Sequence, residues 1–293
     1  MNILITGGTG FIGTPLTQAL ADQHTVTLWC RDPKSVQPGA RAITSLDDYG
    51  DAPLDAVINL AGENIGTQRW SDARKARLRA SRLDTTRALG TWLATRPAAP
   101  SVMISGSAIG YYGLQPGDAS VTESDAGDDS FSSQLCRDWE QSAADGCPAA
   151  TRLCLLRTGV VLGQGGALAR MLPPFKMGLG GVIGSGAQWM PWIHLDDIVA
   201  LIILLLQDDR ASGPINGVSP NPVTNRVFTK TLGQVLKRPT VFPMPGAVVK
   251  LLFGEMGDEL LLHGRRVLPA SATALGFAFK HPSLEGALQD VLR

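Results

Sequence analysis

The spacing of glycines near the start of the chain carries the clearest chemical signal. Gly7, Gly10 and Gly13 form a GxxGxxG pattern between an apolar segment, Met1–Thr6, and a segment with helical spacing, Thr14–Asp22. Glycines allow a tight turn, let backbone N–H groups approach a pyrophosphate, and let a helix pack closely on a strand. The helix N-terminus also favours negative charge. GxxGxxG alone is a weak signal, but at the first strand–helix junction it predicts a dinucleotide site.

The residue after the second predicted strand, Thr25–Cys30, indicates which dinucleotide is bound. Arg31 stands where an NAD-selective site has an acidic residue for the ribose hydroxyls. A guanidinium there suits a 2′-phosphate, to which it can donate two hydrogen bonds. The alternatives are that Arg31 is a solvated loop residue or that the neighbouring Asp32 binds the ribose of NAD. We predict NADP(H) as the cofactor.

Alternating apolar and helical segments predict the elements that position these residues. Further apolar strands are expected at Ala56–Leu60, Val102–Ser105 and Thr151–Arg157, with helices around Ala73–Leu93 and Ser133–Ala144 between them. This alternation favours a parallel sheet with helices on both faces. The predicted fold class is therefore α/β, a Rossmann-type doubly wound parallel sheet with a smaller, mainly helical C-terminal domain on the substrate side.

The character of the sequence changes near residue 163. Glycine and proline punctuate Gly163–Gly186, and helical spacing dominates from Val223 onward. We predict that residues 1–162 form the NADP-binding domain, that 188–218 return to it, and that 163–187 with 219–293 form the substrate-side domain. No low-complexity linker separates the halves, so we expect them to pack together with the active site in the cleft between them.

Composition narrows the classes of partner and the cellular location. Lys+Arg and Asp+Glu both number 26, so no long-range field attracts nucleic acid or an anionic membrane. The longest apolar run, Ile198–Leu206, is far shorter than the roughly 20 residues of a membrane span. We expect a cytoplasmic protein with a small-molecule substrate, without nucleic-acid or membrane partners; a homodimer is compatible with the sequence. No metal site is predicted, because no CxxC pair or metal-ligand spacing is found among the cysteines, Cys30, Cys136, Cys147 and Cys154.

Several longer motifs add a family resemblance. TGGTGFIG, NLAGENI, SGSAIGYYG at Ser105–Gly113 and PWIHLDD at Pro191–Asp197 resemble the extended short-chain dehydrogenase/reductase superfamily. LCRDWE, RTGVVLG, GSGAQWMPWIH, NGVSPNPVTN and GRRVLP look like its atypical branch of epimerase family proteins, many of which are called nucleoside-diphosphate-sugar epimerases. The resemblance covers essentially the whole chain, including the small C-terminal domain peculiar to this branch. It implies cofactor contacts at Gly7, Gly10, Phe11, Ile12, Arg31, Leu60, Ala61, Arg82 and Val160.

Three further positions are predicted to line the cofactor. Gly13 completes the glycine motif, and Gly62 ends the small-residue segment Asn59–Gly62, which an ordinary strand–helix turn explains equally well. Ser105 belongs to the SGSAIGYYG motif. In the superfamily, a serine at this strand end contacts the substrate, and the resemblance assigns that role to Ser107, with Ser105 as the competitor.

The usual proton-transfer pair of the superfamily is missing from this chain. In its catalytic members a Tyr-x-x-x-Lys pair on the next helix exchanges the proton, and the lysine lowers the pKa of the tyrosine. Alignment of LCRDWE puts Ser132 and Cys136 at these positions, and no Tyr-x-x-x-Lys is found anywhere. Tyr111 or Tyr112 could supply a phenol instead, or simply pack; we keep Tyr111 as the acid/base candidate.

Other polar and aromatic residues have a structural and a functional interpretation. We predict that Asp196 and Asp197 cap the following helix and that His194 is a hydrogen-bond partner rather than a base. Trp189 and Trp192 either pack or form a wall for a substrate ring. The leading hypothesis is an NADP(H)-dependent oxidoreductase or epimerase-like enzyme for a small hydroxyl- or carbonyl-bearing metabolite, with nucleotide sugars among the candidates. The rival hypothesis is a non-catalytic NADP(H)-binding sensor.

Overall fold

Strands and helices alternate along most of the chain in the computed structural model, which describes residues 1–293. The strands are β1 (Asn2–Thr6), β2 (Thr25–Trp29), β3 (Ala40–Ile43), β4 (Ala56–Asn59), β5 (Val102–Ala108), β6 (Ser120–Val121), β7 (Arg152–Thr158), β8 (Val160–Leu162), β9 (Trp189–Met190), β10 (Trp192–His194), β11 (Gly213–Gly217), β12 (Val223–Thr224) and β13 (Arg266–Val267). The helices are α1 (Gly13–Ala21), α2 (Asp72–Leu93), α3 (Phe131–Gly146), α4 (Gly166–Lys176), α5 (Leu195–Gln207), α6 (Asn225–Leu236), α7 (Gly246–Gly257), α8 (Ala270–Ala274) and α9 (Leu284–Val291).

Seven strands form one parallel sheet in the order β11-β7-β5-β4-β1-β2-β3. The predicted Rossmann-type α/β fold is confirmed. The strand order reverses at β1, which pairs with both β2 and β4. In doubly wound sheets, a ligand binds in the crevice that such a reversal opens at the carboxyl ends of the strands. The glycine motif lies at this point, directly after β1.

Alternate residues of the central strands enter two different apolar layers. Ile3 and Ile5 pack with Leu16 of α1 and Ile202 of α5, whereas Leu4 lies in the opposite layer with Leu89 of α2. Strands covered on both faces need apolar residues at every position, which explains their continuous apolar runs. The apolar run of α5 is buried in the first layer. No helix of the structure is both long enough and apolar enough to span a bilayer.

Two strands at the edges of the sheet mark where sequence patterns were least informative. β3 is not predicted from the sequence, because it is short and only its last residue, Ile43, is buried. At the other edge, β11 comes from the segment 188–218 and pairs with β7. The division of the chain into two domains stays a prediction.

The C-terminal region is mainly helical, as predicted, and has an apolar cluster of its own. Leu168 of α4, Phe228 of α6 and Leu288 of α9 pack there around Trp192. Trp192 is fully buried, so the hypothesis that it forms a wall for a substrate ring is wrong. Trp189 is only half-buried and lies against the guanidinium of Arg266, with 5.0 Å between the ring centroid and Cζ.

Buried carboxylates fasten the C-terminal segments to the sheet domain. Asp197 of α5 accepts hydrogen bonds from the backbone N–H groups of Lys280 (2.7 Å) and His281 (3.0 Å). Glu259, in the single helical turn after α7, accepts from the N–H groups of Phe131 (3.0 Å) and Ser132 (2.9 Å). Glu259 therefore satisfies two N–H groups that would otherwise be unpaired at the start of α3.

Candidate functional site

The glycine turn after β1 has no room for side chains at two of its positions. Gly7 has a φ of +70°, and a Cβ atom there would lie 2.6 Å from the carbonyl carbon and oxygen of Leu60. A Cβ on Gly13 would lie 2.2 Å from the carbonyl oxygen of Gly7. Both obstructions are backbone atoms, which cannot move aside. The motif thus brings the start of α1 and the end of β4 close to the end of β1.

The N-terminus of α1 is free to bind an anion. Its N-cap residue is Ile12, which supplies no side-chain hydrogen bond, and the first turn has no acidic residue. The first N–H groups of a helix need a partner, and an uncapped terminus at a glycine turn suits a phosphate. Phe11, in the same turn, packs its ring against the segment after β8, where a Cβ on Gly163 or Gly165 would lie 2.9 Å from it. These residues fit the pyrophosphate of a dinucleotide.

The end of β2 presents Arg31 to solvent. Arg31 is exposed, and its side chain makes no hydrogen bond within the protein. The carboxylate of Asp32 is already used, because its Oδ1 accepts from the N–H of Lys34 at 3.0 Å and caps a single helical turn. Arg31 is therefore the free polar side chain at this strand end.

The segment after β4 lies against the polar face of α2. The backbone of Glu63 is held at both ends, by Ser81 Oγ, which accepts from its N–H at 3.1 Å, and by Arg82 Nη2, which donates to its carbonyl at 3.0 Å. A Cβ on Gly62 would lie 3.2 Å from the guanidinium carbon of Arg82. Arg74 binds the Glu63 carboxylate, and this hydrogen bond holds the pKa of Glu63 below its usual range. Leu60 and Ala61, just before, are half-buried.

The two serines of β5 have different surroundings. Ser105 is fully buried, and its Oγ accepts a hydrogen bond from Asn59 Nδ2 at 3.4 Å inside the sheet domain. Ser107, nearer the end of the strand, donates from Oγ to Oε1 of Glu140 at 2.6 Å. A hydrogen bond to an ionised carboxylate is stronger than one between neutral groups. Of the two serines, Ser107 is the one whose hydroxyl is polarised.

Glu140 is part of a buried ion pair that the sequence did not reveal. Arg157 donates from Nε and Nη2 to its two carboxylate oxygens, both at 2.8 Å. Arg157 Nη1 also donates to the hydroxyl of Tyr112 at 3.0 Å. Glu140 and Arg157 lie in motifs that carried the family resemblance, but no local spacing indicates that they meet. Only the pairing of β5 with β7 and the packing of α3 against β5 bring them together.

The two adjacent tyrosines lie in different environments. Tyr112 is buried and donates to Oδ1 of Asn216 at 2.7 Å. Burial raises the pKa of Tyr112 to about 12, although its hydrogen bonds with Arg157 and Asn216 act the other way. Tyr112 is therefore a structural residue. Tyr111 is half-buried, its hydroxyl has no partner within the protein, and its ring centroid lies 3.4 Å from Cζ of Arg157.

The face of α3 that points to β5 lacks the usual tyrosine and lysine. Ser132, Cys136 and Glu140 follow one another at intervals of four residues, so they share this face. Burial raises the pKa of the Cys136 thiol to about 11, and the charge of Glu140 adds to this effect. The thiol is therefore neutral at physiological pH and cannot replace a cationic lysine. Glu140 is the carboxylate of this face, and it is paired with Arg157.

The predicted capping of α5 by its aspartates is wrong. His194 is the N-cap residue, and its Nδ1 accepts from the N–H of Asp196 at 3.1 Å. Asp196 binds Nζ of Lys280 at 2.6 Å, and Asp197 binds the backbone of the same segment. The carboxylates are unavailable as caps because they hold the C-terminal segment. His194 is a hydrogen-bond partner, as predicted.

His194 also belongs to a cluster with the spacing of metal ligands. His194, His281 and Asp290 offer ligand atoms that lie within 4.8 Å of one another. However, the Nδ1 lone pair of His194 is used by the cap, so the proton of the neutral ring is on Nε2. Nε2 faces Asp290 Oδ2 at 3.4 Å. A metal at this nitrogen would require loss of that proton or of the cap, so the chemistry of these donors does not fit a metal.

Comparison with known proteins assigns the chain to a family. Residues 3–216 match the NAD dependent epimerase/dehydratase family, and residues 244–291 match a domain of unknown function, DUF1731. The chain belongs to the NAD dependent epimerase/dehydratase family. The predicted resemblance to epimerase family proteins with a C-terminal domain of their own is confirmed.

Several similar proteins match this chain over essentially its whole length. The human epimerase family protein SDR39U1 is 40% identical over 299 residues, which cover 100% of both chains. A crystal structure of human SDR39U1 (isoform 2) with NADPH has a TM-score of 0.90 at 39% identity and covers 99% of both chains. A nucleoside-diphosphate sugar epimerase from Corynebacterium glutamicum has a TM-score of 0.77 at 32% identity, covering 100% of this chain and 58% of that one.

Proposed function

We propose that this member of the epimerase/dehydratase family is an NADP(H)-dependent oxidoreductase or epimerase-like enzyme that acts on a small hydroxyl- or carbonyl-bearing metabolite. One observation carries the proposal: an uncapped helix N-terminus at a glycine turn and a polarised serine hydroxyl, Ser107, lie at the carboxyl ends of strands of the same sheet. The first suits a dinucleotide phosphate and the second suits a substrate oxygen. Bound NADP(H) would supply or take up a hydride.

The cofactor residues are proposed from the fit of the cradle and from the NADPH bound to human SDR39U1. Backbone groups of the glycine turn and of the segment after β4 would hold the pyrophosphate and the adenosine, while Arg31 would bind the 2′-phosphate. Ser105 can contribute only through its neighbours or its backbone, because its side chain is fully buried. The proposed set is Gly7, Gly10, Phe11, Ile12, Gly13, Arg31, Leu60, Ala61, Gly62, Arg82, Ser105 and Val160.

The catalytic residues are proposed to be Ser107 and Tyr111. Ser107 would hydrogen-bond the reacting oxygen of the substrate. The free hydroxyl of Tyr111 is the remaining candidate for acid/base work, since Tyr112 is buried and hydrogen-bonded. Nucleotide sugars are the first substrate class to test, because the similar protein from Corynebacterium glutamicum is described as a nucleoside-diphosphate sugar epimerase.

Single-turnover absorbance of the cofactor tests the proposal. Protein loaded with NADP⁺ or NADPH is mixed with nucleotide sugars and small carbonyl compounds, and the band of the reduced nicotinamide is followed. We expect a change of the band with at least one compound. Ser107→Ala should then slow turnover by about 10²-fold or more, as loss of one donor or acceptor at a reacting oxygen does. Ser101→Ala, at an exposed serine just before β5, is the control.

A second candidate function is a non-catalytic NADP(H) sensor. The observation that favours it is the absence of the usual tyrosine and lysine from α3, where Ser132 and Cys136 stand. Bound cofactor with no turnover across the panel, together with a protein partner whose affinity differs between the cofactor-free and NADPH-bound forms, would support the sensor. A partner with the same affinity for both forms would contradict it.

A further inference from the structure

A serine, a glutamate and an arginine from three different elements form one buried polar group at the end of β5. Ser107 Oγ donates to Glu140 Oε1 at 2.6 Å, and Arg157 binds both oxygens of the same carboxylate at 2.8 Å. Ser107 is 5% exposed, Glu140 7% and Arg157 2%. A carboxylate buried this deeply stays ionised only when it is paired and hydrogen-bonded. The three side chains therefore form a charged unit with fixed geometry.

The direction of the serine hydrogen bond restricts what Ser107 can bind. A hydroxyl has one proton and two lone pairs. Because Ser107 gives its proton to the ionised Glu140, only lone pairs remain for a ligand in the cleft. A ligand group that meets Oγ must therefore donate, as an alcohol does and a carbonyl oxygen does not. While Glu140 is ionised, this site selects a substrate hydroxyl.

Glu140 also occupies the face of α3 that carries the proton-transfer residues elsewhere in the superfamily. It follows Cys136 by one helical turn and Ser132 by two. Serine and a neutral thiol do not exchange protons readily near neutral pH. Of these three side chains, Glu140 is the only carboxylate, and its Oε1 accepts the hydrogen bond from Ser107 Oγ at 2.6 Å.

We propose that Glu140 accepts, through Ser107, the hydroxyl proton of an alcohol substrate and returns it when the carbonyl form is reduced. This inference rests on the proposed function and gives to Glu140 the acid/base role that was assigned there to Tyr111. As the hydride leaves the substrate carbon with its electron pair for the bound cofactor, the substrate O–H bond breaks and its proton bonds to Ser107 Oγ. The original proton of Ser107 moves to Glu140 Oε1. The product carbonyl then accepts from Ser107, which in turn accepts from the neutral Glu140 carboxyl.

Charge balance in the buried site supports the coupling. Glu140 loses its negative charge in the same step in which the oxidised cofactor loses its positive charge, so the total charge of the site is unchanged. Arg157 stays charged beside the neutral carboxyl, so a buried cation without its counter-ion remains until the proton returns. Arg157 acts as a positioning residue, because it fixes the carboxylate by two hydrogen bonds.

Glu140→Gln tests the transfer, with Asp145→Asn on the same helix as the matched control, because Asp145 bonds only to Gln141. The probes are UDP-glucose, UDP-galactose and UDP-glucuronic acid with the NADP⁺-loaded protein, and small aldehydes and ketones with the NADPH-loaded protein. We expect Glu140→Gln to lower kcat by about 10²- to 10⁴-fold, the usual contribution of acid–base catalysis. The Kd of NADPH and the KM should stay nearly unchanged, and Glu140→Asp should restore part of kcat.

A second readout needs neither cofactor nor substrate. A hydroxyl proton in a short hydrogen bond to a carboxylate resonates at low field in a proton NMR spectrum. In the cofactor-free protein we expect one such signal that Ser107→Ala abolishes, Glu140→Gln displaces and Asp145→Asn retains. An unchanged low-field spectrum in Ser107→Ala means that the serine does not donate to Glu140 and overturns the proposal.

Failure of this proposal differs from failure of the proposed function. Absence of turnover by the unmodified protein across the probes overturns both. Turnover by the unmodified protein that persists in Glu140→Gln overturns the transfer through Glu140 alone. If Glu140→Gln does not fold, Arg157→Lys is used instead, since it keeps the charge but not the paired hydrogen bonds. Arg157→Lys should lower kcat and leave the Kd of NADPH unchanged; an unaltered kcat overturns the proposal.

Discussion

The glycine turn after β1 and the polar group at the end of β5 are built in opposite ways. The turn is made of backbone, and its geometry depends on the absence of side chains at Gly7 and Gly13. The polar group is made of buried side chains that meet only through the packing of β5, β7 and α3. The first kind of site depends on residues in one short stretch of the sequence. The second kind depends on residues far apart in the chain, and it fails differently when it is altered.

The largest loss of stability should follow removal of Arg157. Arg157→Met leaves the buried Glu140 carboxylate without its partner, which costs about 3–5 kcal/mol of unfolding free energy. Urea unfolding measures the loss. Arg79→Met, which breaks the part-exposed pair with Asp138, is the control and should cost about 0–1 kcal/mol.

The double variant Arg157→Met/Glu140→Gln sharpens this test. It should recover part of the stability, because no unpaired charge remains in the interior. A loss in Arg157→Met no greater than that in Arg79→Met would show that the polar group does not depend on its charges.

A substitution in the glycine turn should lower the unfolding free energy less than Arg157→Met does, but it should displace the backbone directly. The Cβ of Gly13→Ala would lie 2.2 Å from the carbonyl oxygen of Gly7, so the turn and α1 have to separate. We expect a loss of about 1–3 kcal/mol, as for other overpacked sites. Thermal unfolding measures it, and NADPH titration should show weaker binding. Gly10→Ala would place its Cβ 3.1 Å from the same oxygen and should therefore lose less stability; equal losses in both variants would contradict the argument.

Arg31→Ala tests whether a single side chain distinguishes NADPH from NADH. Arg31→Ala should weaken NADPH by about 10- to 100-fold, since a charge-assisted hydrogen bond contributes about 1.5–3 kcal/mol. The Kd of NADH, which has no 2′-phosphate, should hardly change. Fluorescence titration of both cofactors measures the ratio, with the nearby exposed Lys34→Ala as control. Equal weakening of NADPH and NADH would remove Arg31 from the 2′-phosphate site.

The smallest effect is expected at His194, a second place where buried side chains set the structure. Burial lowers the pKa of His194, and the neighbouring His281 adds to this shift. The unfolded chain therefore takes up a proton at a higher pH than the folded chain. The stability contributed by neutral His194 is complete above the unfolded pKa of about 6.5 and is lost as the pH falls below it.

His194→Asn keeps a capping side chain and removes the titrating group. The unmodified protein loses unfolding free energy between pH 7.5 and 5.5. In His194→Asn this loss should be smaller, by about 1 kcal/mol at most. Urea unfolding at each pH measures the difference. His24→Asn, at a half-buried histidine outside this cluster, is the control. A steeper dependence in His194→Asn would contradict the assignment.

Sequence patterns correctly predicted those elements whose structure depends on residues close together in the chain. The short continuous apolar runs of β1 and β4 predict buried parallel strands because a strand covered on both faces needs apolar residues at every position. β3 is missed because an edge strand with one buried residue has no such pattern. The N-cap residue of α5 was predicted wrongly because His194 occupies that position. Asp197 instead accepts a hydrogen bond from the backbone of His281, which is far along the chain.

The candidate site follows the same rule. Gly7 and Gly13 were recognisable from spacing, since their role is a property of the local backbone. The link from Ser107 to Glu140 and Arg157 was not recognisable, because it joins strand, helix and strand over long separations. The binding of cofactor and substrate by the predicted residues stays a prediction, which the measurements above test.

The place of β11 at the end of the sheet limits how the chain can be divided. A fragment that stopped at residue 162 would lack β11 and would expose the pairing edge of β7, a strand of seven residues. Unpaired edges of this length recruit strands from other molecules. Truncated versions made for expression or for display should therefore aggregate, whereas a circular permutant that retains β11 beside β7 should remain dispersed.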